Sequence, residues 1–286
     1  MKCTGIFIAG SFFVLFACKG FSQAMDAKGL TKEGAGLLNK KDYAGAIAKY
    51  KEALSADPDY ATANYQLAFA LNATSKGLDA LPYLDRAEKS ATASATIVTA
   101  AYELEGSIYD QHKQPQKAIE SYKAGIKVNP AYQPLHYNLG LAYFRDHQYT
   151  EAETEAVEAI KLDNKHASSQ RLYALVTFHQ NKRAAALLGF CSFLILEPNT
   201  ARSAEAYGNI QHILQGGALK PEPGEATAHH ISADDNALNQ AITKAVADVA
   251  HRRYFVAADK LTEQLRQFLL LRQVSKFKHT GQRAMG

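Results

Sequence analysis

The sequence predicts an all-α fold: a solenoid of stacked helix pairs with a helical cap at its carboxy-terminal end. Two observations predict it. Alanines that mark the second helix of each pair recur in step: the interval from Ala46 to Ala80 is the same as that from Ala118 to Ala152 and from Ala152 to Ala186. Within each such unit, small and apolar residues fall three or four apart, the spacing of one helical face, and do so again after a short turn. A unit of this length cannot cover its own apolar face, so neighbouring units must close it.

The amino-terminal stretch belongs to no unit. Lys2 is followed by an almost wholly apolar run, Ile6 to Ala17, and Ser22-Gln23-Ala24 supplies small residues before a cut at Ala24–Met25. Residues 1–24 therefore read as a secretory signal peptide to be excluded from the fold. A retained membrane anchor is the rival reading, and the apolar core is short for a full span. A second cleavage pattern, Leu15-Phe16-Ala17-Cys18, would instead leave a lipid-bearing Cys18, although Phe16 fits it poorly. Either cut predicts an exported protein, periplasmic or associated with the outer membrane.

The solenoid is expected over residues 25–214, in units 27–60, 61–94, 99–132, 133–166 and 167–200 and a half unit 201–214. In the first unit, Leu30, Gly34 and Leu37 mark one helix and Ala46, Tyr50 and Ala53 the other, with Asp57-Pro58 as the stop. Proline removes a donor and clashes with the preceding turn, so it ends a helix. Pro130 and Pro198 do the same later, while Pro115 is placed to open a second helix and Pro82 to fall near the start of one. The interval from Ala80 to Ala118 is longer than the others, and the excess falls at 95–98. An insert of that size is about one helical turn. This predicts a longer second helix ending near Ala91 or Thr92, or a longer first helix in the third unit. The helix 184–196 is apolar nearly all round, which predicts burial by a neighbour beyond the ordinary stack.

Past position 214 the pattern breaks. Residues 215–231 hold Gly216, Gly217, Pro221, Pro223 and Gly224 and read as a loop. Ser232 before Asp234-Asp235 is a helix start. Residues 232–275 read as a helical pair or degenerate repeat, with helices over 236–251 and 255–277, and 276–286 as a basic tail.

Of the three cysteines only Cys191 survives the cut, so no internal disulfide is expected. It sits beside Phe190, Phe193 and Leu194 and reads as a buried small residue. A formal net charge of +4 is too small to argue for nucleic acid. His229-His230 lacks the further ligands a metal would need. No phosphate loop, HExxH or nucleophile motif is present, which argues against an enzyme, and no cofactor or metal is expected.

Small residues where paired helices cross, an aromatic near the turn and a proline at the unit end stand at Gly34, Ala46, Tyr50, Ala53 and Pro58; at Ala68, Ala80 and Ala87; at Gly106, Tyr109, Ala118, Tyr122 and Pro130; at Gly140, Tyr143, Ala152 and Ala159; and at Ala174, Ala186, Phe190 and Pro198. This set resembles the tetratricopeptide repeat family over residues 27–214, and weakly over 238–271. The amino terminus is similar to those of exported bacterial proteins. The departures are the insert at 95–98, Asn164 in place of proline, and 215–231. The resemblance implies a right-handed αα superhelix whose first helices line a concave groove.

On that implication the groove would present Tyr65, Phe69, Tyr137, Leu141, Phe144, Arg145, Arg171, Leu175 and Phe178, an aromatic and apolar strip flanked by arginines. Aromatic and Arg side chains dominate interface energetics. The bland alternative is that each is only core. The family's carboxylate-clamping lysines and asparagines are missing, and Glu103 and Asp110 stand in the third unit instead. The function expected is a non-enzymatic scaffold of the cell envelope docking a protein or peptide. The alternative is a structural or oligomeric assembly component acting through terminal or convex surfaces. Membrane contact through the basic end or a lipidated Cys18 is a third reading.

Overall fold

The computed structural model describes residues 27–215 and 232–250, together with 263 and 266. Among these, regular structure is helical, with no strand. Helix α1 covers 27–39. It is followed by α2 (Tyr43–Ala56), α3 (Ala61–Ala73), α4 (Gly77–Lys89), α5 (Ala95–Gln111), α6 (Pro115–Val128), α7 (Gln133–Arg145), α8 (Tyr149–Leu162), α9 (Ala167–His179), α10 (Arg183–Leu196), α11 (Ala201–Leu214) and α12 (Ala233–Ala250). The chain forms two compact units, Met1–Leu135 and His136–Gly286. In the first, α2 packs on α3, α3 on α4, α4 on α5 and α5 on α6, and the first helices α3 and α5 also touch. In the second, α8 packs on α9, α9 on α10, and α10 on both α11 and α12.

The expected punctuation is visible in the caps. The Asp42 carboxylate accepts from the Gly45 amide at 3.0 Å to start α2. Ser203 and Thr200 form a reciprocal capping box on α11. Asp57, Asn129 and Glu197 cap the carboxy ends of α2, α6 and α10, each directly before a proline.

The turn inside each helix pair has a backbone feature that no glycine announces. Lys41, Ser75, Lys113, His147 and Asn181 all have φ between 56° and 62°. Each sits directly before an amide that reaches back into the last turn of the preceding helix. Asp42 donates to the Leu37 carbonyl, Lys76 to Leu71, Gln114 to Tyr109, Gln148 to Tyr143 and Lys182 to Thr177, at 2.8 to 3.0 Å. This left-handed closure satisfies carbonyls that a helix end otherwise leaves unpaired.

The insert at 95–98 lengthens a first helix. α4 stops at Lys89, and α5 has 17 residues where α3, α7 and α9 have 13. Ser94 fixes its start, its hydroxyl accepting from the Ile97 amide at 3.3 Å. Pro82 differs from expectation. It lies inside α4, beyond the first turn, where its missing amide removes an intrahelical bond.

The two apolar clusters follow the division. One gathers Tyr50, Leu67, Leu84, Ile108 and small residues such as Ala46, Ala68 and Ala80. The other gathers Phe178, Leu187, Phe190, Phe193, Ile210 and Ile213, joined by Ile242 and Ala245 of α12. The extra neighbour that α10 required is therefore α12. Asn239 joins it to the α9–α10 turn. Its amide oxygen accepts from the Arg183 backbone amide at 2.9 Å, and its nitrogen donates to the Asn181 carbonyl at 2.7 Å. α12 begins at Ala233, ahead of the expected 236–251 helix, with the Ser232 hydroxyl accepting from the Asp235 amide. The signal segment 1–24, Cys3, Cys18, the loop 215–231 with its histidine pair, the helix expected at 255–277, most of the degenerate unit 238–271 and the tail 276–286 lie outside the described residues, apart from α12 and the two single positions.

Candidate first-helix binding surfaces

The sequence-predicted residues separate into three environments. In the first unit, Tyr65 and Phe69 stand one turn apart on α3. Phe69 is 42% exposed, an unusual state for a phenylalanine on an otherwise well-buried helix. Tyr65 is half-buried, and burial first, then the Glu103 charge, pushes its phenol up. Glu103 on α5 accepts a hydrogen bond from the Tyr132 hydroxyl at 3.1 Å. Burial and that carboxylate push the Tyr132 phenol up to about 12. The surface of this unit thus offers the exposed Phe69 ring one turn from Tyr65, whose phenol shares the Glu103 charge with Tyr132.

In the second unit, Tyr137 is half-buried and meets His166 edge-on, centroids 5.1 Å apart. Phe144 meets His179 edge-on at 5.1 Å, and His179 stacks on Tyr149 with an interplanar angle of 17°. Such pairs hold the rings in fixed orientation. Leu141 is half-buried, and Leu175 packs from the side against the apolar cluster. Arg145 is exposed. Arg171 is paired, its Nη2 lying 2.7 Å from Glu205 Oε2 on α11.

Phe178 is a correction. It is only 2% exposed, held edge-on by Phe190 of α10 and His212 of α11, so it is core and lines no groove. Phe144 and Phe178 hold the same position in successive repeats, yet α10 supplies a phenylalanine at the crossing where α8 supplies Ala156. The larger partner covers the ring.

The remaining chemistry-bearing residues are quiet. His136 is buried, with Nδ1 2.7 Å from Glu155 Oε2. Burial pushes the Cys191 thiol up, the opposite of activation. Among the described residues, no three His, Cys, Asp or Glu side chains gather as a metal site would require. No described helix is long and apolar enough to cross a membrane.

Known proteins share this architecture. Residues 37–74 and 106–146 match one family described as TPR repeat, and 134–166 match another described as tetratricopeptide repeat. Solved structures similar in fold include YrrB, described as a TPR protein with an unusual peptide-binding site. It shows 17% identity and a TM-score of 0.55, over 64% of this chain and 92% of that one. MamA aligns at 25% identity and TM-score 0.53, over 60% of this chain and 96% of that one. PilF of Pseudomonas aeruginosa aligns at 17% identity and TM-score 0.55, over 68% and 91%. The chain matches no curated protein sequence.

Proposed function

We propose, from the premise that residues 37–74 and 106–166 are tetratricopeptide repeats, that this chain is a protein- or peptide-binding scaffold whose partner docks on first-helix faces. The observation that carries the reading is the exposed Phe69 ring one turn from Tyr65 on α3. An apolar ring one turn from a phenol gives a partner both buried area and a hydrogen-bonding edge. In the second unit, Tyr137, Leu141 and Phe144 are half-buried, the two rings edge-on to His166 and His179, and Arg145 is an exposed cation on the same helix. Rings already fixed in place lose little freedom on binding.

The setting we propose is the cell envelope, reached through the signal pattern of residues 1–24. Within this proposal, a lipidated Cys18 or the basic residues 276–286 supply the membrane contact. Fractionation of cells carrying the full chain tests export: recovery of the uncut chain in the cytoplasm sinks it.

The docking reading is tested by photo-crosslinking from position 69 in intact cells, with Phe69→Ser and Arg145→Ser variants compared in a matched capture assay. One discrete crosslinked partner, lost from the capture assay of the variants while their helical melting is unchanged, is the expected result. Unaltered capture by both variants overturns it.

A second reading, assembly through the outer surfaces, is favoured by Ile195, which is 81% exposed at the end of α10, with Leu196 and Leu162 also exposed at second-helix ends. Light scattering decides it. A concentration-dependent mass that Ile195→Ser abolishes supports assembly, and a constant monomer mass excludes it.

A further inference from the structure

The turn between α9 and α10 concentrates unpaired polar atoms. Asn181 Oδ1 and Arg183 Nε are both buried with no hydrogen-bond partner, two positions apart in this turn. Buried polar groups are otherwise almost always satisfied, so such a concentration needs a cause. Arg183 is the strongest case, at only 8% exposed. Its Nη2 donates to the Ile213 carbonyl at 2.6 Å and its Nη1 reaches the Thr243 hydroxyl at 3.4 Å, both neutral acceptors. Among the described residues, no carboxylate lies within ion-pairing distance of it. A guanidinium cannot shed its proton, so the charge stays and its burial is costly. Burial draws its pKa down from the usual value.

Beside this turn lies a cleft of about 480 Å³, lined by Asn181, Arg183, Asn236, Asn239, Gln240, Thr243, Lys244 and Ala247. Among the described residues, the lining has two cations, four side-chain amides, one hydroxyl and no acid. Its walls are built. Asn239 is 7% exposed and ties α12 to the turn by two hydrogen bonds, so the cleft has a fixed width at that point. Lys244 projects from the exposed side of α12. The Asn181 amide can be turned over, since its oxygen and nitrogen differ only by hydrogen-bond assignment, and it then offers an N–H where an unpaired oxygen stands.

We propose that this cleft binds an oxyanion, a carboxylate or a phosphate, between Arg183 and Lys244. The arrangement matches what such a group needs: a planar cation behind, a second cation at the mouth, and neutral donors around it. The site does not depend on the first-helix surfaces, since its residues come from the α9–α10 turn and α12.

The experiment measures the thermal midpoint of the full chain at pH 7 with sodium phosphate, sodium acetate or sodium chloride, at matched ionic strength. A saturable rise with phosphate or acetate above the chloride control is expected. Phosphate alone assigns a phosphate source, and a response to acetate assigns a carboxylate source. Lys244→Gln, an exposed change, is expected to raise the half-saturating concentration about two- to fivefold. Gln240→Glu is expected to raise the midpoint without added anion and to remove the response, because it supplies the missing charge. Arg183→Met should abolish the response. If that variant fails to fold, the two α12 variants still decide. No rise over chloride, or an equal rise in Gln240→Glu, overturns the proposal.

Discussion

The Tyr122 ring occupies the space in which a side chain on Gly106 would begin: a Cβ there would lie 2.4 Å from Tyr122 Cε1. Gly34 and Tyr50 repeat the relationship at 2.5 Å. The two pairs have the same sequence separation, with the glycine on the first helix and the tyrosine on the second. A ring lying across a bare backbone is what lets the two helix axes approach closely. The small residue and the aromatic are thus one device.

Gly34→Ala should therefore destabilise the chain by about 1–3 kcal/mol through overpacking. Gly36, on the same helix, is exposed and would place a Cβ with nothing within 4 Å. There the same substitution should stabilise by about 0.5–1 kcal/mol, because alanine loses less backbone freedom in a helix. Denaturant midpoints of the two variants should move in opposite directions.

Tyr50 is wholly buried, and its hydroxyl has no partner. Tyr50→Phe keeps the ring over Gly34 and removes the unsatisfied oxygen. The expected gain is about 1 kcal/mol, measured by urea unfolding. A loss of similar size would mean that the hydroxyl has a partner in solution.

The left-handed turn residues yield a third prediction. Lys113 has φ 57°. A side chain in that region costs about 1 kcal/mol relative to glycine. Lys113→Gly should raise the thermal midpoint by a few degrees, and Lys113→Val, β-branched, should lower it.

Glu88 sets a pH dependence. One carboxylate oxygen is buried without a partner. Burial first, then the Glu105 and Asp85 charges, raise its pKa from 4.5 to about 8, with Lys89 and a hydrogen bond from Tyr102 opposing. The folded chain therefore holds a proton that the unfolded chain has released between these values. Stability from this group is complete below about 4.5, declines as pH rises towards about 8 and levels off above it. The slope is at most about 1.4 kcal/mol per pH unit. Glu88→Gln should flatten this decline and be more stable than the parent at pH 8. An unchanged slope would show that Glu88 ionises normally.

Residue pattern alone determined the paired helices, their repeating register and their stops, because those depend on local causes. Gly106 with Tyr122, or Asp57 before Pro58, acts within one unit and repeats in another. The left-handed positions were illegible, since Lys41, Ser75, Lys113, His147 and Asn181 share no turn signature. Backbone hydrogen bonding at the helix end imposes that conformation whatever the side chain. Exposure was likewise illegible. Phe69 and Phe178 both stand on first helices, yet one ring is open and the other is enclosed by Phe190 and His212. The unpaired charge of Arg183 was hidden for the same reason: it arises only where α12, far along the chain at Asn239, closes over the turn. Periodicity specifies which face a residue takes. Only the side chains brought up from elsewhere in the chain decide whether water still reaches it.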